Sequence, residues 1–287
     1  MRLEKSSLLI SLIYYYGYLF WAKLLTRGSK RIVVLIYHSI GEGMLQEEDR
    51  LGLNLSTHVF EWQMQYLIKQ KRSKIISIQE AEIILAGRYS EPGIDTYYLF
   101  SFDDGLKNFK SKVVPLLEQY HVPVLLFQIA HPLLKTEETY LRSRYGSDYT
   151  TKWRLMDREE IQAVSHSPWV SIGSHSLTHS DCWTDHLEEE LQGSKRLLEE
   201  ATGKIVNYFS CPYGMVREKV LLAAKKFGYK RVFTSICNWN SFRGSTNNRY
   251  TVNRIEISSF DGALKFKLKI NGAYNWKRFL KSHQILP

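Results

Sequence analysis

Tyr97-Tyr98-Leu99-Phe100-Ser101-Phe102-Asp103-Asp104-Gly105 is a run of aromatic, aliphatic and small residues that ends in two adjacent carboxylates and a glycine. The apolar part predicts a buried strand. The glycine permits a sharp turn directly after it. Two neighbouring anions at the end of an apolar strand repel one another unless positive charge sits between or beside them. A metal ion is the usual source of that charge. Taken alone, Asp-Asp-Gly reads equally well as an ordinary strand-ending turn, so the rest of the chain has to decide.

On the amino-terminal side, Arg31-Ile32-Val33-Val34-Leu35-Ile36-Tyr37-His38 is a second continuous apolar run with a polar end. On the carboxy-terminal side, Val122–Ile129, Val170–Gly173, Val206–Ser210, Lys230–Thr234 and Thr251–Ile257 read as further strands. Helical segments separate them. Ser56 and Thr57 offer capping hydroxyls to a helix over His58–Lys69, with Phe60, Met64, Leu67 and Ile68 at helical spacing. Ser77 with Glu80, and Asp157 with Glu160, are capping boxes that open two more helices. Others are predicted over Val113–Gln119, Asp185–Ala201 and Glu218–Phe227. Strand and helix in near-strict alternation, about seven times, predict an α/β fold with a parallel sheet closed into a barrel. The stretch 132–156 is irregular, and its Tyr140, Tyr145, Tyr149 and Trp153 suit either a substrate-facing flap or a surface insertion.

In such a barrel the chemistry gathers where strands end. The polar residues at those ends are Tyr37-His38, Asp103-Asp104, His131, His175 with His179, Pro212-Tyr213 and Arg254. Two histidines four apart in a turning segment can hold one metal ion. Here that pair follows a predicted buried strand and stands at the same rim as Asp103-Asp104.

These residues resemble the polysaccharide deacetylases, the fourth family of carbohydrate esterases. The resemblance is carried by Ser101-Phe102-Asp103-Asp104-Gly105, Ser174-His175-Ser176-Leu177-Thr178-His179 and Phe209-Ser210-Cys211-Pro212-Tyr213-Gly214. Leu35-Ile36-Tyr37-His38-Ser39-Ile40 resembles the amino-terminal Tyr-His motif of one branch. The resemblance implies a distorted, incomplete (β/α) barrel that hydrolyses an acyl group from a sugar, foremost the N-acetyl group of an amino sugar in a glycan or lipid-linked saccharide. Removal of an O-acetyl or formyl group, cleavage of another amide at the same site, or a catalytically inactive glycan-binding barrel are the alternatives. It implies Asp104, His175 and His179 as ligands of a divalent metal, Zn2+ by default, with Ni2+, Co2+ or Mn2+ compatible with the same donors. It implies Asp103 as general base, and Tyr213, Pro212 and Tyr37 as residues lining the oxyanion and substrate site.

The sequence departs from the family pattern twice. An Arg that orients the general base commonly stands two residues before the proline of the third motif; this chain has Ser210 there. The later Leu-His motif, whose histidine protonates the leaving amine, is missing, and beyond the third motif the chain holds only His283, in its basic tail. In the branch with the amino-terminal Tyr-His, that histidine takes the acid role, which assigns it to His38.

The chain of 287 residues is 44% hydrophobic and 24% charged, with a formal net charge of +10. That balance favours anionic surroundings such as a phospholipid surface or an anionic glycan. The basic residues are scattered and no nucleic-acid motif occurs, so no nucleic-acid partner is expected. The odd cysteine count (Cys182, Cys211, Cys237) argues against a disulfide framework. Three regions are expected: an apolar amino-terminal helix over 1–30, the catalytic barrel over 31–260 and a basic helical tail over 261–287. Ser6 to Ala22 carries no charged residue and is rich in Tyr, Leu and Ile. That length sits at the lower edge of the roughly 17–25 residues a bilayer span takes. A short anchor or an interfacial helix is therefore expected, hence membrane association. Lys23, Arg27, Lys30 and Arg31 outnumber Arg2 and Lys5, which favours the cytoplasmic face for the barrel if the segment spans. The oligomeric state is not legible.

Overall fold

The computed structural model of the chain describes residues 9–14, 16–17, 30–42, 51–88, 90–133, 155–180, 186–214, 216–242 and 250–277. The sheet begins with β1 (Lys30–Tyr37), the first of the apolar runs, and its partner is β5 (Thr96–Phe102), the other run that reads apolar throughout. They are parallel, with Ile32 opposite Tyr97 and Tyr37 opposite Phe102. That register sets His38 and Asp103 level with each other, and the Asp103 N–H donates to the Tyr37 carbonyl at 2.9 Å. Parallel neighbours continue through β6 (Val124–Gln128), β7 (Val170–Ser174), β8 (Tyr208–Ser210), β9 (Arg231–Phe233) and β11 (Thr251–Val252).

The single strand expected over Thr251–Ile257 is broken in two, and the break nearly closes the barrel. Its first half, β11, pairs with β9, while its second half, β12 (Ile255–Glu256), pairs with Leu35 and Ile36 of β1. Asn253 and Arg254 lie in the seam between the two edges. The sheet is therefore mostly parallel and almost closed. Three pieces are additional to the sequence reading. β4 (Ser73–Ile75) is a short parallel neighbour of β5 whose flanking charges hide its strand character. β10 (Asn240–Phe242) runs antiparallel to Lys30–Ile32. β2 (Ser39–Ile40) and β3 (Asn54–Leu55) form a separate two-stranded ladder.

The helices follow their caps. Helix α1 (Thr57–Ile68) starts where the Ser56 hydroxyl accepts from the Val59 N–H. Both expected capping boxes form, at Ser77/Glu80 ahead of α2 (Ile78–Leu85) and at Asp157/Glu160 ahead of α4 (Arg158–Ser165). Between them α3 spans Val114–Tyr120, entered through a π-helical turn over Phe109–Val113. The remaining helices are α5 (Leu187–Thr202), α6 (Glu218–Lys226) and α7 (Ala263–Ile270). Strand alternation divides the core. Val33, Leu35, Tyr98, Phe100 and Phe102 pack with Phe60, Met64 and Leu67 of α1, whereas Ile32, Val34, Tyr97 and Leu99 pack with Leu125, Phe127 and Phe233.

Residues 9–14 are helical; Leu9, Ile10 and Ile13 are exposed, and the buried Ser11 hydroxyl accepts from the Trp276 indole. Among the described residues no helix is long and apolar enough to cross a membrane. Apart from residues 16–17 and Lys30, which already belongs to β1, the rest of the expected amino-terminal helix lies outside the described residues, as do the aromatic stretch with Tyr140, Tyr145, Tyr149 and Trp153 and the tail bearing His283.

Candidate active site

Asp103 and Asp104 follow β5 as the apolar run ends. Asp104 (φ 71°) and Gly105 (φ 80°) are both left-handed, which turns the chain sharply and parts the two carboxylates. Asp tolerates that conformation, but position 105 needs glycine for space as well. A Cβ there would lie 1.9 Å from Oε1 of the buried Gln128. Gln128 itself braces the turn, its Nε2 donating to the carbonyls of Ile129 at 2.9 Å and Asp104 at 3.4 Å.

His175 leaves β7 with its N–H bonded to the Gln128 carbonyl, so the second histidine motif starts beside the aspartate turn. Nε2 of His175 and Nε2 of His179 each lie 3.4 Å from Asp104 Oδ1. The three side chains offer donor atoms all within 4.8 Å of one another, and this is the only such cluster among the described residues. Nδ1 of His175 is 2.8 Å from the Ser210 carbonyl. A carbonyl only accepts, so Nδ1 carries a proton and Nε2 is the ring nitrogen turned toward the cluster, the one that could ligate a cation. The donor set, the fixed tautomer and the adjacent carboxylates fit a divalent cation of the kind bound by His-His-carboxylate sites.

Asp103 has a different partner. Arg254, wholly buried in the barrel seam, grips it with two parallel bonds, Nη1 to Oδ1 at 2.7 Å and Nη2 to Oδ2 at 2.9 Å. The same guanidinium donates to the Ser210 hydroxyl at 2.6 Å, to the Ser101 hydroxyl at 3.2 Å and, through Nε, to the Thr234 carbonyl at 3.1 Å. The support that an Arg at position 210 would supply thus arrives from the seam between β11 and β12. Ser210 leaves room for it and accepts from it. In the sequence Arg254 stands at a strand end with nothing to assign it a role; the signal that could have found it is the small residue at 210.

These contacts set the charge states. Burial acts to raise the Asp103 carboxyl, but the Arg254 guanidinium foremost, with His175 and His38, overcomes it and holds the group below the ordinary range. Asp104 likewise is driven up by burial and brought far down by its hydrogen bond to His175 and by the charges of His179 and His38. Burial lowers His175, yet Asp103 and Asp104 raise it above an ordinary histidine. His179 is pushed down to about 4, chiefly by burial, against the pull of Asp104. His131, in a short turn after β6, falls to about 4 through burial and the nearby charge of His179, which leaves it neutral beside the site.

His38 follows β1 at the level of Asp103, and its Nδ1 is buried without a hydrogen-bond partner. A clamp holds its loop to the aspartate turn: Asn108 Nδ2 donates to the Ser39 hydroxyl at 2.8 Å and to the Ile40 carbonyl at 2.7 Å. Tyr213 sits on the rim in a left-handed conformation (φ 59°), largely exposed, its ring edge-on to His179 with centroids 5.0 Å apart. Pro212 is buried in the turn beneath it. Tyr37 is placed otherwise than expected of a substrate-site residue. It is fully buried, stacked on Phe100 and Phe102 and edge-on to Phe60, and its hydroxyl donates to Gln63 Oε1 at 2.8 Å. The period-two alternation that exposes His38 to the site turns Tyr37 toward α1.

Comparison with known proteins agrees with this geometry. Residues 91–232 match the family model described as polysaccharide deacetylase. The Bacillus subtilis (strain 168) protein YxkH is 24% identical over 218 residues, 75% of this chain and 67% of its own length. A polysaccharide deacetylase from Bacillus cereus superposes with a TM-score of 0.65 at 25% identity, covering 84% of this chain and 69% of that one. IcaB from Ammonifex degensii shares the fold with a TM-score of 0.65 at 22% identity, covering 85% of this chain and 97% of that one.

Proposed function

This chain belongs to the polysaccharide deacetylase family, and we propose that it is a metal-dependent hydrolase that removes the N-acetyl group from an amino sugar. The observation that carries the proposal is the cluster of buried Asp104 and His175 with partly buried His179, beside an aspartate held by a separate arginine. A divalent ion in that cluster would supply a Lewis acid that acidifies a water molecule and polarises the acyl oxygen. Zinc is the first expectation, and nickel, cobalt and manganese fit the same donors.

The chain's own residues divide the remaining work. Asp103, ionised at neutral pH and fixed by Arg254, accepts the proton of the attacking water. The Tyr213 turn lines the acyl oxygen. His38 gives a proton to the amine nitrogen as the carbon–nitrogen bond breaks, so the products are acetate and the free amino sugar. The substrate is a glycan or lipid-linked saccharide at a membrane surface. The net charge of +10 and the exposed apolar Leu9, Ile10 and Ile13 support that surface, and the flanking basic residues favour the cytoplasmic face if the amino-terminal segment spans.

Purified protein is expected to release acetate from N-acetylated chitooligosaccharides or lipid-linked N-acetylglucosamine, to stop with a chelator and to resume with zinc. Formate release alone would change the acyl group, and no release from any acylated sugar by metal-loaded protein would sink the proposal. His38→Ala is expected to lower turnover by roughly 10²–10⁴-fold while the bound metal stays. Unchanged turnover would move the acid role elsewhere.

A further inference from the structure

The turn between the two histidines is itself held by a carboxylate that no sequence motif marks. Glu190, in the first turn of α5, is buried, and its Oε2 accepts the N–H groups of Leu177 and Thr178, both at 2.9 Å. Its Oε1 accepts the Thr178 hydroxyl at 2.5 Å. The next N–H, that of His179, is met by the Ser176 hydroxyl at 2.9 Å. Three successive backbone donors of the histidine turn are therefore satisfied by side chains rather than by a ladder or a helix. Ser176 (φ 67°) and His179 (φ 57°) are both left-handed without being glycine, so the turn needs an external hold. Consecutive N–H groups curled in this way form a concave anion site, and here the anion is Glu190.

The neighbours of Glu190 are spent elsewhere. Glu188 pairs with Lys226 and Glu189 lies 3.5 Å from His186, all on the surface. Glu190 alone of the three faces inward, and its helix is tied to β7 by the Ser174 hydroxyl donating to Ser194 at 2.8 Å. Rotating His179 away from Asp104 would break its bonds in a buried setting, where an N–H left unpaired is destabilising.

We infer that Glu190 is a positioning residue that locks the His175–His179 turn in its metal-ligating form. The inference rests on the metal reading above. Its test measures zinc affinity by competition with a chromophoric chelator, together with thermal unfolding of the metal-free protein. Glu190→Ala is expected to weaken zinc binding by about 10–100-fold, and Glu190→Gln, which keeps an oxygen for the two N–H groups, to recover most of it. A folded Glu190→Ala protein that loses stability but binds zinc as tightly as the parent would overturn the inference, leaving Glu190 a structural staple only. Should Glu190→Ala not fold, Glu190→Asp replaces it: the charge stays, the reach shortens by one methylene, and unaltered affinity again overturns it. A parent protein that takes up no zinc is seen before any variant is made, and would defeat the metal reading itself.

Discussion

Asp104→Ala and His175→Ala are each expected to abolish metal uptake and, with it, deacetylation. Parent protein should retain about one divalent ion per chain after dialysis, as expected for a three-donor catalytic site, and each variant essentially none. The physical reason is that the two changes remove different terms. Asp104→Ala deletes the carboxylate whose oxygen lies 3.4 Å from both histidine Nε2 atoms, and with it the negative charge that favours a cation there. His175→Ala removes the donor whose tautomer the Ser210 carbonyl fixes. Elemental analysis reads the stoichiometry directly. Thermal unfolding reads it independently, because an ion present at 100 times its Kd stabilises the folded parent by about 2.7 kcal/mol and a non-binding variant not at all. Stoichiometric metal in both variants would remove the assignment.

Arg254→Met is the second change expected to have a large effect, and it acts on the base instead of the metal. Stability falls first: breaking a buried ion pair by removing one partner costs roughly 3–5 kcal/mol, and five oxygen acceptors besides the Phe127 ring face lose their contact. The pH profile moves next. In the parent, the Arg254 charge is the foremost influence that overcomes burial and keeps Asp103 below the ordinary carboxylate range. Without it burial favours the neutral acid, so the Asp103 pKa rises and the acid limb of kcat/KM shifts to higher pH. A bound ion lowers Asp103 in both proteins, so the difference between them isolates Arg254. Arg254→Lys separates charge from geometry. One ammonium cannot span both carboxylate oxygens, so kcat is expected to fall while the acid limb moves less. Equal kcat/KM and an unmoved limb in Arg254→Met would show that Asp103 does not depend on this arginine.

The placement of Arg254 also accounts for Ser210. A side chain of arginine length at 210 would compete with Arg254 for the same carboxylate and the same volume. The buried Asp103 carboxylate takes its arginine partner from the seam between β11 and β12, 151 residues along the chain, instead of from the motif that carries Ser210. The histidine turn follows the same pattern at shorter range: its donors are met by a glutamate on the following helix, one of three in a row that sequence alone cannot rank.

Much of the molecule was legible before any coordinates. Apolar runs with polar ends, separated by capped helices, are local patterns, and β1, β5, β6, β7, α1 and both capping boxes fall close to where the sequence places them. The metal-type residues were legible for the same reason, since they cluster in short motifs at strand ends. Three things were decided only by the tertiary structure. The split of the last strand depends on which two edges meet when the sheet curls, and Arg254 acquires its partner from that closure. Tyr37 faces the core because the register of β1 against β5 and α1 selects the face. Glu190 turns inward because α5 packs on β7 in one orientation. Local periodicity carries the elements and their polar ends, but a bond across a barrel depends on closure, register and helix orientation, which are properties of the whole sheet and not of any segment within it.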